Sequence, residues 1–280
     1  MYKILKREDL SPTVHLLHIE APAIANKARA GQFATVMSHE KGERIPLTLA
    51  DWNKEAGTVD LVFLEAGKTT KQMAQMRAGD SLFSFLGPLG VPSEIEKFGH
   101  VVCVGGGVGI AAVAPVARAL KEAGNKVTSI IGARTKDLLF WEEKMRAGSD
   151  SLIVATDDGS YGRKGVVTEP LKELLERGDV DRVIAVGPAI MMKFCSLTTL
   201  PYKVKTIVSL NSIMVDGTGL CGSCRVSVGG DTKFACFHGP DFDGHRVDWN
   251  LLLSRHSFFK EEEQISLSLW EKSHHEVGGI

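Results

Sequence analysis

The sequence predicts a multidomain fold in which an N-terminal antiparallel β-barrel precedes an α/β domain with a parallel sheet and a small cysteine-bearing domain. The chain has 280 residues, of which 44% are hydrophobic, so it can build more than one packed core. Short alternating runs fill its first third, whereas strands and helices alternate from His100 onward. Three of the five cysteines then fall between residues 221 and 236.

These changes in pattern divide the chain into four segments. They are the barrel at 1–96, the α/β domain at 97–205, the cysteine-bearing domain at 206–255 and a polar tail at 256–280. The barrel strands are predicted from runs rich in β-branched and aromatic residues, which are Val14–Ile19, Gln32–Met37, Thr58–Leu64 and Ser81–Leu86. Gly87-Pro-Leu-Gly90 is predicted to form the tight turn that closes this domain.

Two polar segments between the barrel strands can meet a phosphate. The segment Arg44–Thr48 supplies a guanidinium, and Gly67-Lys-Thr-Thr70 opens a predicted helix that ends near Gln75. Amides and hydroxyls at the start of such a helix can bind an anion, although an ordinary capped helix explains the same residues. The second segment is not a P-loop, because the first glycine of that motif would fall at Phe63.

An open parallel sheet is predicted for the α/β domain. Its strands are Val101–Val104, Lys126–Ile131, Ser151–Thr156 and Arg182–Val186, and its helices are Ile110–Ala123, Thr135–Arg146 and Val167–Glu176. Ligands bind such sheets at the carboxyl ends of the strands. Three segments are expected there, namely Gly105–Gly109, Thr156–Gly159 and Gly187–Pro188.

The glycine turn that follows the first of these strands indicates a nucleotide site. Glycines let a ligand approach the backbone closely, and the following helix offers roughly half a positive charge to a pyrophosphate. The standard G-x-G-x-x-G fingerprint is not met, because Ile110 occupies its third glycine position and the second strand ends in Ile131-Gly-Ala-Arg134, without an acidic residue. A purely structural glycine turn therefore stays open as the alternative.

The cysteine-bearing domain contains a glycine-rich loop with the spacing D-x4-C-x2-C-x11-C, formed by Asp216, Cys221, Cys224 and Cys236. A plant-type [2Fe-2S] loop has the spacing C-x4-C-x2-C and a distant fourth cysteine, so Asp216 stands where the first thiolate would be. Structural zinc and reduced core cysteines are the alternatives. His238 is the rival of Asp216 as the fourth ligand of a cluster.

Composition argues against several other classes of protein. A net charge of −1 provides no basic surface for nucleic acid or an anionic membrane. The N-terminus is charged where a signal peptide is apolar, and no apolar run of about 18 residues occurs. We therefore expect a cytoplasmic protein in which Cys103 and Cys195 are free core thiols. The His274–His275 pair can bind a metal, but a solvated tail explains it more simply.

The order of these motifs resembles that of the electron-transfer subunit of class B dihydroorotate dehydrogenase, within the ferredoxin-reductase flavoprotein superfamily. The resemblance spans about residues 1–250 and rests on Arg44–Thr48, Gly67–Thr70, Gly105–Gly109, Thr156–Ser160, Gly187–Pro188 and the cysteine loop. The dihydroorotate subunits carry a fourth cysteine where this chain has Asp216. An aspartate with three cysteines instead resembles the small subunit of NADH-dependent reduced ferredoxin:NADP+ oxidoreductase, also described as sulfide dehydrogenase, an electron-bifurcating heterodimer.

The resemblance implies FAD on the barrel, NAD(H) on the α/β domain and a [2Fe-2S] cluster in the cysteine loop. The residues implied for FAD are Arg44, Pro46, Leu47, Thr48, Val62, Phe63, Leu64, Gly67, Thr69 and Thr70. Those implied for the nicotinamide cofactor are Gly105, Gly107, Val108, Gly109, Asp157, Asp158, Gly187 and Pro188. The implied cluster ligands are Asp216, Cys221, Cys224 and Cys236. No catalytic side chain is implied, because hydride transfer needs no acid or base from the protein.

The implied activity is that of an NAD(H)-linked oxidoreductase subunit that converts two-electron into one-electron transfer. Its implied partner is a larger flavin and iron–sulfur subunit, with ferredoxin and NADP as indirect partners. NADH is expected to react faster than NADPH, although Arg134 lies where a 2′-phosphate can be met. Two alternatives stay open, namely an electron-transfer subunit of dihydroorotate dehydrogenase type and a non-redox, zinc-bearing nucleotide sensor.

Overall fold

The computed structural model describes residues 1–275, with side chains up to residue 273. Its N-terminal part is one antiparallel sheet of seven strands: β1 (Tyr2–Ser11), β2 (Val14–Glu20), β3 (Phe33–Met37), β4 (Ile45–Asn53), β5 (Thr58–Leu64), β6 (Ser81–Leu82) and β7 (Ser84–Leu89). The strand order is β6-β1-β2-β5-β4-β3-β7. Only Phe83 separates β6 from β7, so the two edges of the sheet meet and the barrel is nearly closed. Helices α1 (Pro22–Ala25) and α2 (Lys68–Ala74) lie between strands.

Strands β2 and β5 are apolar on both faces, which explains why their sequences alternate poorly between polar and apolar residues. Leu17 and Leu61 belong to the core inside the barrel. Leu16 and Val62 point the other way and belong to a core shared with the next domain. One wall of the barrel is therefore buried by a neighbouring layer of helices and strands.

The middle of the chain forms a parallel α/β sheet. Its strands are β8 (His100–Gly106), β9 (Lys126–Ala133), β10 (Ser151–Thr156), β11 (Arg163–Lys164), β12 (Arg182–Val186) and β13 (Lys205–Ser209). Its helices are α3 (Gly109–Glu122), α4 (Glu142–Ala147), α5 (Thr168–Glu176) and α6 (Ala189–Thr199), with 3-10 turns at Lys136–Leu138 and Leu200–Tyr202. Fully buried strands such as β12 explain the continuous apolar runs of the sequence.

The remaining elements are β14 (Arg225–Val228), β15 (Asp231–Phe234), β16 (Asp241–Asp243), α7 (Ala235–His238), α8 (Trp249–Arg255) and α9 (Lys260–His275). Strands β14 and β15 form a separate hairpin. Strand β16 instead joins the α/β sheet, antiparallel to β13, and gives the order β11-β10-β9-β8-β12-β13-β16. The cysteine-bearing segment is thus joined to the α/β sheet by backbone hydrogen bonds.

Three predicted elements are wrong. The run Ser81–Leu86 is not one strand, because Phe83 separates β6 from β7. Gly87–Gly90 is not a turn, because β7 continues to Leu89, which pairs with Phe33. Proline is tolerated there because β7 is the last strand in the order and needs no partner on its outer side. The predicted helix Thr135–Arg146 is divided into a 3-10 turn and α4, because Trp141 adopts a φ of 56°, which no helix accommodates.

The predicted C-terminal tail contains a helix. Helix α9 packs against α2, and Lys71 Nζ lies 2.6 Å from Glu271 Oε1. The side chains of the His274–His275 pair lie outside the described residues, so the metal alternative for that pair stays a prediction. Within residues 1–275, none of the helices combines the length and the apolar composition that crossing a membrane requires.

Candidate functional site

The carboxyl ends of four parallel strands lie side by side at one edge of the α/β sheet, in the order β10, β9, β8 and β12. Backbone hydrogen bonds continue beyond the strands at this edge. Gly107 N donates to Gly132 O over 2.9 Å, and Asp157 N donates to Ala133 O over 3.1 Å. The structure therefore brings all three predicted nucleotide segments to the same edge, as the strand–helix pattern predicts.

The glycine turn between β8 and α3 is open on the side of Gly107 and tightly packed on the side of Gly109. A Cβ atom added at Gly107 would have no neighbour within 4 Å, and its φ of 54° favours glycine. A Cβ atom at Gly109 would lie 2.3 Å from Val186 O, so only glycine lets α3 begin directly on the end of β12. Val108 precedes α3 and is partly exposed, so the helix N-terminus faces the open side.

Gly187 and Pro188, which follow β12, pack against the glycine turn at this edge of the sheet. A Cβ atom at Gly187 would lie 3.0 Å from Gly106 O, and one at Gly106 would lie 3.4 Å from Pro188 Cδ. Pro188 is the residue before α6. The loops after β8 and β12 are thus in direct contact, which requires small residues on both sides.

Asp157 and Asp158 are exposed at the end of β10. Asp158 Oδ1 accepts hydrogen bonds from Ser160 Oγ over 2.7 Å and from Ser160 N over 2.9 Å, and these bonds hold the pKa of Asp158 below its usual value. Asp158 N also donates to Arg134 O over 3.2 Å. The edge therefore carries negative charge beside the backbone of Arg134.

The barrel segment predicted to bind FAD lies at the start of β4. Its five residues, Arg44–Thr48, are all partly exposed. Arg44 Nη2 lies 3.5 Å from Met37 Sδ, and no carboxylate pairs with Arg44 among residues 1–273. A cation without a carboxylate partner remains available to a phosphate.

Two buried hydroxyl groups on and beside β3 lack partners. Thr35 Oγ1 and Ser38 Oγ make no hydrogen bond within the described residues. Thr35 pairs with Pro46, so its hydroxyl lies beside the Arg44–Thr48 segment. Buried polar groups are normally satisfied, so these hydroxyls fit a polar ligand at this wall of the barrel. They were missed from the sequence, although Thr35 is conspicuous as a polar residue within an apolar strand.

The Gly67–Thr70 segment is a capped helix start. Thr70 Oγ1 accepts hydrogen bonds from Ala66 N over 2.9 Å and from Gly67 N over 3.0 Å, which is the capping-box arrangement. Thr69 Oγ1 donates to Glu43 Oε2 over 3.0 Å. The alternative interpretation of this segment as a helix cap therefore holds for Thr70.

Strand β5 runs beside these segments and carries the other three barrel residues that were predicted to bind FAD. Val62 and Phe63 are buried, whereas Leu64 is exposed. Phe63 packs inside the barrel and Val62 packs toward the α/β domain. Of these three side chains, only that of Leu64 can contact a bound ligand; the other two can offer only their backbone.

The cysteine loop brings two of its three thiols together. Cys224 Sγ and Cys236 Sγ are 3.1 Å apart and buried, and burial together with this neighbour raises the pKa of Cys236. Cys221 is exposed, with its Sγ 3.4 Å from Ser223 Oγ, and that contact lowers the pKa of Cys221. Among the described residues, no three His, Cys, Asp or Glu side chains lie at metal-binding distances from one another.

Asp216 organises the backbone of the same loop. Its Oδ1 accepts a hydrogen bond from Thr218 N over 2.7 Å and its Oδ2 accepts one from Cys221 N over 2.8 Å. These bonds hold the pKa of the exposed Asp216 carboxyl below its usual value. The rival ligand His238 is held elsewhere, since its Nδ1 accepts from Phe234 N over 3.0 Å.

The two remaining cysteines lie away from this loop in elements of the α/β domain. Cys103 and Cys195 are fully buried, in β8 and α6, and burial raises the pKa of each thiol to about 12. Both are core residues, as their apolar sequence context predicts.

The cysteine loop contacts the barrel wall that carries the unpaired hydroxyls. A Cβ atom at Gly217 would lie 2.6 Å from Thr35 Cγ2 and 3.1 Å from Leu89 Cδ1. The contact is reinforced nearby by a hydrogen bond of 2.7 Å from Val91 N to Gly239 O. The loop that begins at Asp216 is therefore one strand away from the Arg44–Thr48 segment.

Comparison with known proteins agrees with this geometry. Residues 211–248 match the family model of the iron–sulfur cluster binding domain of dihydroorotate dehydrogenase B. The chain is 49% identical to a Thermotoga maritima protein named dihydroorotate dehydrogenase B (NAD(+)), electron transfer subunit homolog, over 97% of this chain and 96% of that protein. It is 32% identical to the Desulforamulus reducens electron transfer subunit of that enzyme, over 88% and 97%.

A solved structure is similar over nearly the whole chain. It is the structure of an NADH-dependent reduced ferredoxin-NADP oxidoreductase, which was used to study flavin-based electron bifurcation. The matching chain is 48% identical with a TM-score of 0.92, and the match covers 96% of this chain and 98% of that one. The protein belongs to the family of dihydroorotate dehydrogenase B electron-transfer subunits and their homologues, and is an oxidoreductase subunit with an iron–sulfur binding domain.

Proposed function

We propose that the chain is the FAD- and [2Fe-2S]-bearing subunit of an electron-bifurcating NADH-dependent ferredoxin:NADP+ oxidoreductase. The contact between the cysteine loop and the barrel carries this proposal, because Gly217 packs on Thr35 and Thr35 pairs with Pro46. Single-electron transfer requires that donor and acceptor lie close together, and this contact supplies the proximity. The proteins that support bifurcation are the 48% identical chain and the bifurcating enzyme to which it belongs.

FAD would be held at the barrel wall by Arg44–Thr48, Val62–Leu64, Gly67, Thr69 and Thr70. When bound, it supplies an acceptor for a hydride and a donor of single electrons. Arg44 is free to neutralise a phosphate, and the hydroxyls of Thr35 and Ser38 can bond polar ring atoms. Since Thr70 already caps α2, we assign its role to fixing the amides of this turn.

NAD(H) would dock at the carboxyl edge of the α/β sheet. The open face of Gly107 leaves room for a pyrophosphate, and the N-terminus of α3 attracts it. Gly105, Val108, Gly109, Gly187 and Pro188 shape the surrounding backbone. The carboxylates of Asp157 and Asp158 can accept ribose hydroxyls and disfavour a 2′-phosphate.

The cluster ligands would be Asp216, Cys221, Cys224 and Cys236. The donor set fits an iron cluster, because two buried thiols 3.1 Å apart are suited to sharing a metal group. Cys221 and Asp216 lie on the exposed side of the same loop, and the left-handed backbone at Gly217 and Gly219 lets that loop curve tightly. We assign His238 no ligand role, since it bonds the hairpin backbone.

Cofactor content and reduction by NADH test the function. The purified chain should contain FAD together with equal amounts of iron and acid-labile sulfide, and NADH should reduce it faster than NADPH does. A colourless, zinc-bearing chain would leave only the nucleotide-sensor alternative. A preparation that prefers NADPH would overturn the assigned role of Asp157 and Asp158.

The partner of the chain would be a larger flavin and iron–sulfur subunit, with ferredoxin and NADP reached through it, in a cytoplasmic heterodimer. The names of the matched electron transfer subunits support the existence of a partner, and the free thiols suit a reducing compartment. The second candidate, an electron-transfer subunit of a dihydroorotate dehydrogenase complex, is favoured by the iron–sulfur domain match. Copurification from the native organism distinguishes the two candidates, because only a dihydroorotate dehydrogenase complex would contain a partner subunit that oxidises dihydroorotate.

A further inference from the structure

The barrel and the α/β domain meet at an ion pair that lies outside all the cofactor motifs. Asp51 belongs to β4, Arg118 to α3 and Lys144 to α4. Arg118 Nη2 is 3.0 Å from Asp51 Oδ1, Arg118 Nη1 is 3.3 Å from Asp51 Oδ2, and Lys144 Nζ is 2.6 Å from the same Oδ2. One barrel carboxylate thus receives two cations from two helices of the neighbouring domain.

A β-bulge directs Asp51 toward this interface. Leu49 pairs with Leu61 and Asp51 pairs with Asp60, so β4 contains one extra residue at Ala50. Without the bulge, Asp51 would lie on the same face as Leu49, inside the barrel. With it, Ala50 packs into the core shared with α3, and Asp51 reaches Arg118.

The surroundings hold the three side chains in place. The Arg118 guanidinium lies 5.9 Å from the centre of the Trp52 ring, and Lys144 Nζ lies 3.7 Å from that of Trp141. Trp52 N also donates to Asp51 Oδ1 over 3.0 Å. Burial raises the pKa of Asp51, but hydrogen bonds from Arg118 and Lys144 outweigh it and hold the pKa below its usual value. The carboxylate is therefore charged at neutral pH.

The bridge connects the two elements that carry the cofactor segments. Strand β4 begins within the Arg44–Thr48 segment, and Thr48 lies only three residues before Asp51. Helix α3 begins at Gly109, on the glycine turn, and Arg118 lies on the same helix. A strand and a helix transmit a displacement with little bending, so a change in the bridge changes the distance between the two sites.

We propose that Asp51 is a positioning residue for hydride transfer, because its bridge to Arg118 and Lys144 fixes the angle between the barrel and the α/β domain. The inference rests on the proposed function, since it requires FAD beside β4 and NAD(H) at the β8–α3 turn. With both cofactors bound, the step concerned would move a hydride, with its electron pair, from NADH to FAD and would release NAD+. No proton acceptor is needed in that step.

Stopped-flow reduction of the FAD-loaded chain by NADH tests the proposal. Asp51→Asn should lower the rate at saturating NADH about tenfold or more, because small misplacements of reacting groups cost rate steeply. The NADH concentration at half-saturation and the FAD content should stay within twofold. Asp51→Glu, which keeps the charge, should retain the rate within about threefold.

Asp60→Asn is the matched control. Asp60 is the sheet neighbour of Asp51, but it pairs with His18 inside the barrel domain, at 2.5 Å. Its replacement should leave the rate within twofold. An equal loss of rate in both variants would show a general effect on the barrel and would overturn the role of Asp51.

Hydrogen exchange of the cofactor-free chain supplies a readout that is independent of activity. Asp51→Asn should accelerate exchange in residues 50–52 and 141–147 at the interface and leave the separate hairpin of β14 and β15 unchanged. Arg118→Gln should reproduce both effects, and it replaces Asp51→Asn if that variant does not fold. Unchanged exchange and an unchanged rate in either variant would refute the proposal. A wild-type chain that binds FAD but is not reduced by NADH would instead refute the proposed function, and the inference with it.

Discussion

Two glycine-rich segments among the described residues are held in different ways. The turn Gly105–Gly109 is fixed by parallel strands, whose backbone hydrogen bonds continue past their ends. The loop Asp216–Cys224 has no regular secondary structure, and side-chain bonds of Asp216 to Thr218 N and Cys221 N define its path. A site built from strand ends depends on packing behind it, whereas a site built on a loop depends on the few side chains within it.

The largest expected effect is loss of the cluster when the side chains of the loop are changed. Cys224→Ser and Asp216→Ala should abolish or strongly reduce bound iron, because each removes a proposed ligand and Asp216 also organises the loop. Asp216→Cys should retain a [2Fe-2S] signal with a changed resonance pattern and potential. Iron and sulfide analysis with electron paramagnetic resonance measures all three.

His238→Ala is the control for these variants, and it should leave iron content and spectrum unchanged. If both Asp216 variants keep the wild-type spectrum and cluster content, the aspartate is not a ligand. The cysteine loop would then no longer favour the bifurcating enzyme over the dihydroorotate dehydrogenase type.

Packing behind the glycine turn should matter more than the turn itself. Gly109→Ala should destabilise the chain by about 3 kcal/mol, because its Cβ would lie 2.3 Å from Val186 O and must push α3 away from β12. Gly107→Ala has open space and should cost only about 1 kcal/mol, from its left-handed backbone. Chemical denaturation measures both. Equal losses of stability in the two variants would contradict the distinction between the packed side of the turn at Gly109 and its open side at Gly107.

A single cation should dominate the affinity of the barrel for FAD. Arg44→Ala should raise the dissociation constant of FAD about 10- to 100-fold, since a charge-assisted hydrogen bond contributes roughly 1.5–3 kcal/mol. Arg44→Lys should recover part of the loss, because it keeps the charge but not the planar geometry. Flavin fluorescence during titration gives the constants. Unchanged FAD occupancy in Arg44→Ala would remove this residue from the site.

The smallest effect concerns the anchor between the barrel and the cysteine-bearing segment. Ser93 Oγ donates to Asp241 Oδ2 over 2.5 Å, and burial raises the pKa of Asp241 to about 6, partly offset by hydrogen bonds from Ser93 and Ser209. Because the folded-state pKa exceeds the ordinary value, the folded chain holds this proton more tightly. The stability it contributes is present at low pH and is lost as pH rises through 6.

Asp241→Asn should remove this dependence. On going from pH 7 to pH 5, the free energy of unfolding of the wild type should rise relative to the variant by about 1.4 kcal/mol, the equivalent of one pKa unit. Denaturant titrations of both chains at the two pH values supply the measurement. A constant difference between the chains would show that Asp241 does not titrate in this range.

The sequence predicted those elements whose signals are local. Strands Thr58–Leu64, Ser151–Thr156 and Arg182–Val186 have the predicted bounds, and the nucleotide segments meet at one edge as parallel topology requires. Strand β4 was not predicted, because Pro46 and the polar Arg44 resemble a linker. Strand β1 was not predicted either, since its charged residues form an exposed face.

What the sequence could not provide is contact between distant segments. Nothing local to Gly217 or Thr35 indicates that they touch, because the contact depends on how three domains pack. The contact of Asp51 with Arg118 likewise depends on a one-residue bulge in β4, which the sequence pattern does not reveal. The sequence shows the spacing of the cysteines but not that the thiols of Cys224 and Cys236 lie together.

The pairing of Lys71 with Glu271 sets an order of assembly. The two residues are 200 positions apart, so α9 is synthesised long after the barrel that carries α2. Domains fold as units during synthesis, N-terminal ones first. The barrel can therefore fold with α2 uncovered, and α9 docks on it only after the rest of the chain has been made.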